Sequence, residues 1–260
     1  MTYPVINLAS LSLFLVFLAR VSGIFISAPL FGARNVPTRV RIGMAIVLAY
    51  IFFELLRGQA PALPNTMNWM NLGLLIILEI LVGLLIGFTA MLIFLAIQFA
   101  GHLIDIVTGM QMASVFDPAT SAQQSLFGQF QYILALLLFL AFNGHHFIIH
   151  ALYQSYSLIP IGSLSFSGGD PLIFMKIVGT SFSVGLQLAA PIMAMLFLID
   201  FSLGIIAKGV PQMNVFVTGM PIKSLVGIMG LFIVMSYYGN FFSHIPKLAY
   251  TDIIAVLKAL

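Results

Sequence analysis

The hydrophobic positions of this chain fall in continuous runs of about 20 residues or more, broken by short polar segments. Backbone groups in lipid must pair within their own segment or barrel, so a spanning element is a helix or a closed barrel. Barrel strands need alternation over about ten residues, which these runs lack. The pattern therefore predicts six long helices, over residues 5–29, 40–56, 72–101, 126–153, 177–206 and 223–242. A short amphipathic tail, 248–260, follows. The connections 31–39, 57–71, 102–125, 154–176 and 207–222 collect the Pro, Asn and charged residues, as loops do.

Composition decides what surrounds these helices. The 260 residues are 61% hydrophobic and 7% charged, against about 25% charged in a typical soluble domain. A soluble body of this size needs more polar surface than the chain supplies, so the fold class expected is an all-α membrane protein forming one membrane domain, 1–260. There is no cysteine, which excludes disulfide staples and thiol chemistry. The net charge of +3 is too small and scattered for a nucleic-acid-binding patch. No Lys or Arg precedes Arg20, so the first run reads as a retained helix rather than a signal peptide.

Loop charge sets orientation. With the N-terminus outside, Arg34, Arg39, Arg41, Lys208 and Lys223 lie in the cytoplasm and Arg57, Lys176, Lys247 and Lys258 lie outside. Five against four favours that orientation narrowly. The three arginines after the first helix carry the choice.

Four ionisable groups lie in or at the edges of the apolar runs: Arg20, Glu79, Asp105 and Asp200. A central charge costs about 2.5–3.5 kcal/mol on insertion scales, and each Leu or Ile returns about 0.3–0.6 kcal/mol, so a run with a dozen of them tolerates one. The groups fit interhelical pairing, Arg20 with Glu79 or with Asp200, or else a polar path. His145, His146 and His150 invite a metal reading, but the His146–His150 pair lacks the Glu of a zinc-protease helix. Packing and hydrogen bonding near a helix end account for them instead, and no metal is expected. No nucleophile motif occurs, so no enzyme and no cofactor are expected. Gly83 and Gly87 form a G-x-x-x-G step that lets two helix backbones approach. The segment from Gly109 to Ser125 is apolar for a loop and contains Met110 and Met112. Flexible thioethers suit an irregular surface, so it reads either as a pore plug or as a loop tucked under helix ends.

Several stretches in order resemble the FliR family, the flagellar biosynthetic protein of the type III export gate. They are Leu18-Ala19-Arg20-Val21-Ser22-Gly23 with Ala28-Pro29-Leu30-Phe31-Gly32, and Val36-Pro37 before Arg39 and Arg41. Further on come Gly101-His102-Leu103-Ile104-Asp105 with Phe116-Asp117-Pro118, and Asn143-Gly144-His145-His146. The last are Pro211-Gln212-Met213-Asn214-Val215-Phe216 and Gly219-Met220-Pro221-Ile222-Lys223. The resemblance spans almost the whole chain, although 154–176 and the tail carry no part of it.

The resemblance implies a multi-pass protein of the bacterial inner (plasma) membrane, within the flagellar basal body. It implies assembly with FliP and FliQ into a gate for unfolded flagellar export substrates, with FlhB and FlhA nearby and membrane lipid around it. It implies FliP-like helices over about 1–176, with a plug loop at 106–125, and a FliQ-like hairpin over about 177–250. Carried over by position, Met110, Gln111, Met112, Phe116, Asp117 and Pro118 are expected in the channel plug. Lys208, Pro211, Gln212, Asn214 and Lys223 are expected at a cytoplasmic hairpin tip. A virulence-type secretion subunit of the same fold is one alternative. A stand-alone small-solute transporter is another, which would show two matching halves.

Overall fold

The computed structural model describes residues 8–32, 36–59, 68–112, 125–164, 170–210, 212 and 214–260. Among them there is helix and no strand. Helix α1 is Leu8–Ser27, α2 is Thr38–Leu56 and α3 is Trp69–Thr108. A short 3₁₀ turn, Met110–Met112, follows α3. Then come α4 Leu126–Ala141, α5 Gly144–Leu158, α6 Pro171–Gly209 and α7 Val215–Lys258. Among the described residues four helices are long and apolar enough to cross a bilayer, and counting α4 with α5 as one broken span makes five. The all-helical membrane architecture is thus the one the apolar runs predict.

The boundaries differ from the expected ones in four places, each with a local cause. Helix α3 passes Gly101 and runs to Thr108, where Gly109 turns into the left-handed region (φ 80°) and stops it. The expected fourth helix is two helices, α4 and α5, because Asn143 adopts a left-handed backbone (φ 57°, ψ 30°) that Asn tolerates better than most residues. Helix α6 begins six residues before the expected start. Asp170 accepts the Leu172 N–H at 3.0 Å, and Pro171 supplies the first helical position, where no N–H is needed. Helix α7 begins at Val215, where Asn214 accepts the Val217 N–H at 3.3 Å, and it continues without a break into the expected separate tail.

That continuation crosses Pro246, which supplies no N–H to the helix ladder. The tail offsets the loss by burial. Ala249, Ile253, Val256 and Leu257 recur at helical spacing and are each at most 5% exposed.

The chain divides into two compact units. One comprises Met1–Leu92, Asn143–Lys176 and Pro246–Leu260, and the other comprises Ile93–Phe142 and Ile177–Ile245. The first has a core of Val16, Phe17, Val21, Ile24, Val82 and Ile86, all at most 2% exposed. In the second, α6 and α7 pair as an antiparallel hairpin. Leu203 lies by Gly219, Asp200 by Lys223, Met195 by Gly230 and Leu188 by Tyr238, so positions rise along one helix as they fall along the other. Pro191 interrupts the ladder within α6, and the Tyr238 hydroxyl donates to the Leu188 carbonyl nearby, at 3.1 Å.

Candidate functional site

In the first unit, Arg20 of α1 is fully buried and finds its partner in Glu79 of α3, at 2.5 Å. Both of its other guanidinium nitrogens also have partners. The guanidinium donates to Ser155 Oγ at 3.1 Å and to the Ile159 carbonyl at 3.0 Å, and it lies 4.4 Å above the Tyr156 ring. Glu79 accepts the Gly162 N–H with its second oxygen, at 3.2 Å. Of the two pairings that the apolar runs allow, Arg20–Glu79 is the one formed. A buried charge pair is tolerable only when such extra hydrogen bonds complete it.

Gly83 and Gly87 carry the α1–α3 contact. A Cβ on Gly83 would strike the Arg20 carbonyl oxygen, and one on Gly87 would strike Ser27. The G-x-x-x-G step therefore packs within the chain. It sets the close crossing that brings Arg20 and Glu79 into register.

In the second unit, Asp105 is 2% exposed on the last turn of α3. Its carboxylate accepts the Ser125 hydroxyl and the Phe127 N–H, the latter at 3.2 Å. Asp200 of α6 pairs with Lys223 of α7, where the side chains remain 41% and 20% exposed. Lys223 therefore lies within a helix, two turns past the hairpin turn. Lys208, Gln212 and Asn214 are exposed around that turn, and Pro211 lies outside the described residues.

Of the expected plug residues, Met110 and Gln111 stand in the 3₁₀ turn, with Met110 half-buried and Gln111 exposed. Met112 ends that turn, and nothing is described of its side chain. Phe116, Asp117 and Pro118 lie outside the described residues. Met110 lines an apolar recess with Leu126, Phe127, Phe130, Ile228 and Phe232.

His145 and His146 lie ring against ring at 4.2 Å, while His150 stacks on Tyr250 at 5.4 Å. Among the described residues no three His, Asp or Glu side chains converge on a metal-sized site. Pattern reading missed Ser155, Tyr156 and Ser125. Each is an ordinary helix or cap residue in sequence, and only the fold brings it to a charge.

The sequence matches the family described as "Bacterial export proteins, family 1" over residues 11–248. It is 41% identical to the flagellar biosynthetic protein FliR of Bacillus subtilis (strain 168), covering 86% of each chain. It is 31% identical to FliR of Escherichia coli (strain K12), covering 88% of this chain and 86% of that one. It is 34% identical to FliR of Pectobacterium carotovorum, covering 87% of this chain and 85% of the relative. With almost its whole length aligned, and with apolar helices that suit a multi-pass protein of the inner membrane, the chain belongs to the FliR family of flagellar biosynthetic proteins.

Proposed function

We propose that this member of the flagellar export apparatus is a wall subunit of the export gate. It assembles with FliP and FliQ around a passage for unfolded flagellar proteins, with FlhB and FlhA at its cytoplasmic side. The match along 11–248 carries this reading. The α6–α7 hairpin supports it physically. Only 22% of the most apolar window of α6 is buried, against 61% for α3, so most of its surface is left for lipid or neighbouring subunits. In this proposal α6 and α7 are the FliQ-like hairpin and the preceding helices are the FliP-like part. The flagellar names of the matched relatives favour flagellar cargo over the virulence alternative.

Within the gate, the segment that begins at Met110, Gln111 and Met112 and continues through Phe116, Asp117 and Pro118 forms the resting plug. Soft thioethers and an aromatic ring close a wide opening to ions and yield to a passing polypeptide. The turn around Lys208, Pro211, Gln212 and Asn214 faces FlhB, with Lys223 behind it. Deleting residues 110–119 tests the plug. The assembled gate should then conduct ions at rest, and conductance equal to wild type refutes the assignment. Co-purification of FliP and FliQ with the tagged full chain tests the assembly. Recovery of a stable chain that moves solute alone overturns it.

A further inference from the structure

Helix α3 ends at Thr108 and α4 begins at Leu126, so the segment assigned above to the plug leaves one helix and returns to another. Four groups join those two helices at its base. The Asp105 carboxylate accepts the Ser125 hydroxyl across a 20-residue separation. It also accepts the Phe127 N–H, at 3.2 Å to one oxygen and 3.4 Å to the other. Ser125 Oγ in turn accepts the Gly128 N–H at 2.8 Å, as a helix cap does. The carboxylate thus meets the first turn of α4, where unpaired N–H groups and the helix dipole favour an anion.

Backbone geometry permits the reach. A Cβ on Gly101 would strike the Gly128 backbone, so two facing glycines allow α3 and α4 to touch one turn away from Asp105. The Thr108 hydroxyl donates to the Asp105 carbonyl at 3.0 Å within the last turn of α3. Capping α4 needs no charge, since Ser125 already serves the Gly128 N–H. What Asp105 adds is a tie from one helix to the other.

We infer that Asp105 is a positioning residue: its carboxylate fixes the start of α4 against the end of α3 and so sets the two ends of the intervening segment. The consequence for sealing rests on the plug reading above, whereas the tie itself does not.

The test uses the assembled export gate carrying Asp105→Leu, Asp105→Asn or Ser125→Ala, with the 110–119 deletion beside them. Hydrogen exchange at the Phe127 and Gly128 amides reads the tie directly. Loss of an N-terminal cap interaction should speed that exchange about fivefold in Asp105→Leu and Ser125→Ala. Asp105→Asn keeps one acceptor oxygen and should fall between these and wild type. Exchange at the wild-type rate in all three overturns the inference. Resting ion flux reads the consequence, and it should rise in the same order as exchange. Should the deletion leak while the faster-exchanging variants stay tight, the tie is only a helix cap and the positioning role is overturned. Should the deletion itself stay tight, the plug reading falls, and exchange alone then decides the tie. Where Asp105→Leu prevents assembly, Asp105→Asn and Ser125→Ala supply both readings.

Discussion

Each compact unit of the chain holds an ion pair between two apolar helices, and the two pairs are built in opposite ways. Arg20 and Glu79 are 0% and 3% exposed at the side chain, while Lys223 and Asp200 are 20% and 41% exposed. The first pair is completed by Ser155, Tyr156, Ile159 and Gly162 from the neighbouring helix and turn. The second gives no further hydrogen bond to a different helix among the described residues. A closed pair fixes the register of helices that must not move. An open pair on a hairpin with exposed apolar faces leaves charge and surface available to neighbours. The contrast separates a self-contained scaffold in one unit from a hairpin surface suited to assembly in the other.

Breaking the closed pair should have the largest effect. Glu79→Ala leaves Arg20 charged and buried, which costs about 3–5 kcal/mol when a buried pair loses one member. The expected outcome is loss of the chain from the membrane fraction, read by pulse-chase. The double variant Arg20→Met with Glu79→Leu removes both charges and should recover part of the level, because well-packed apolar side chains can replace a buried pair. A Glu79→Ala chain as long-lived as wild type would show that the network does not hold the helices.

The glycine step beneath that pair comes next. In Gly83→Ala the new methyl meets the Arg20 carbonyl, a backbone atom that cannot swing aside. Overpacking of this kind costs about 1–3 kcal/mol. Gly179 in α6 has no heavy atom within 4 Å of the same position. There, Gly179→Ala should be neutral or stabilising by up to about 1 kcal/mol from helix propensity. Thermal unfolding in detergent compares the two, and equal shifts would erase the distinction between a packed crossing and an open face.

How far the sequence reveals this depends on the range of the interaction. Uninterrupted apolar runs disclose the helices, because lipid and backbone pairing leave few other choices. Arg20, Glu79, Asp105 and Asp200 stand out as charges in apolar surroundings, and all four prove to be hydrogen-bonded or paired. The choice between Glu79 and Asp200 as the partner of Arg20 is not local, since it depends on which helices cross. Asp170-Pro171 is a local helix-start signal that a Ser- and Gly-rich neighbourhood obscures. The passage of α7 through Pro246 is invisible to a rule that ends helices near proline, because tail burial outweighs the lost bond. The FliR motifs reveal the family, while the proposed plug and partners depend on contacts with other chains, which no pattern within one chain encodes.

Opening the exposed pair should do little to the isolated chain. Lys223→Gln or Asp200→Asn should change its stability by less than about 1 kcal/mol, the usual range for solvated pairs. Their effect should appear in the yield of gate subunits that co-purify with the chain. A loss of stability as large as that of Glu79→Ala would place this pair in the same class as Arg20–Glu79 and remove the contrast.

Asp252, in the tail portion of α7, supplies the smallest and most specific check: a half-buried carboxylate that forms no ion pair among the described residues. Burial alone raises its pKa above the ordinary carboxylate value. The folded state therefore holds this proton more tightly than the unfolded state does. Stability from this group is greatest below the unfolded pKa, about 3.9 for Asp, and is lost as pH rises through the raised folded value. Asp252→Asn removes that loss. The variant should converge on wild type below about pH 3 and unfold about 1–2 °C higher near pH 7. A difference that shrinks with rising pH would mean that the tail satisfies this charge after all, and that a carboxylate here needs no counter-ion as Glu79 does.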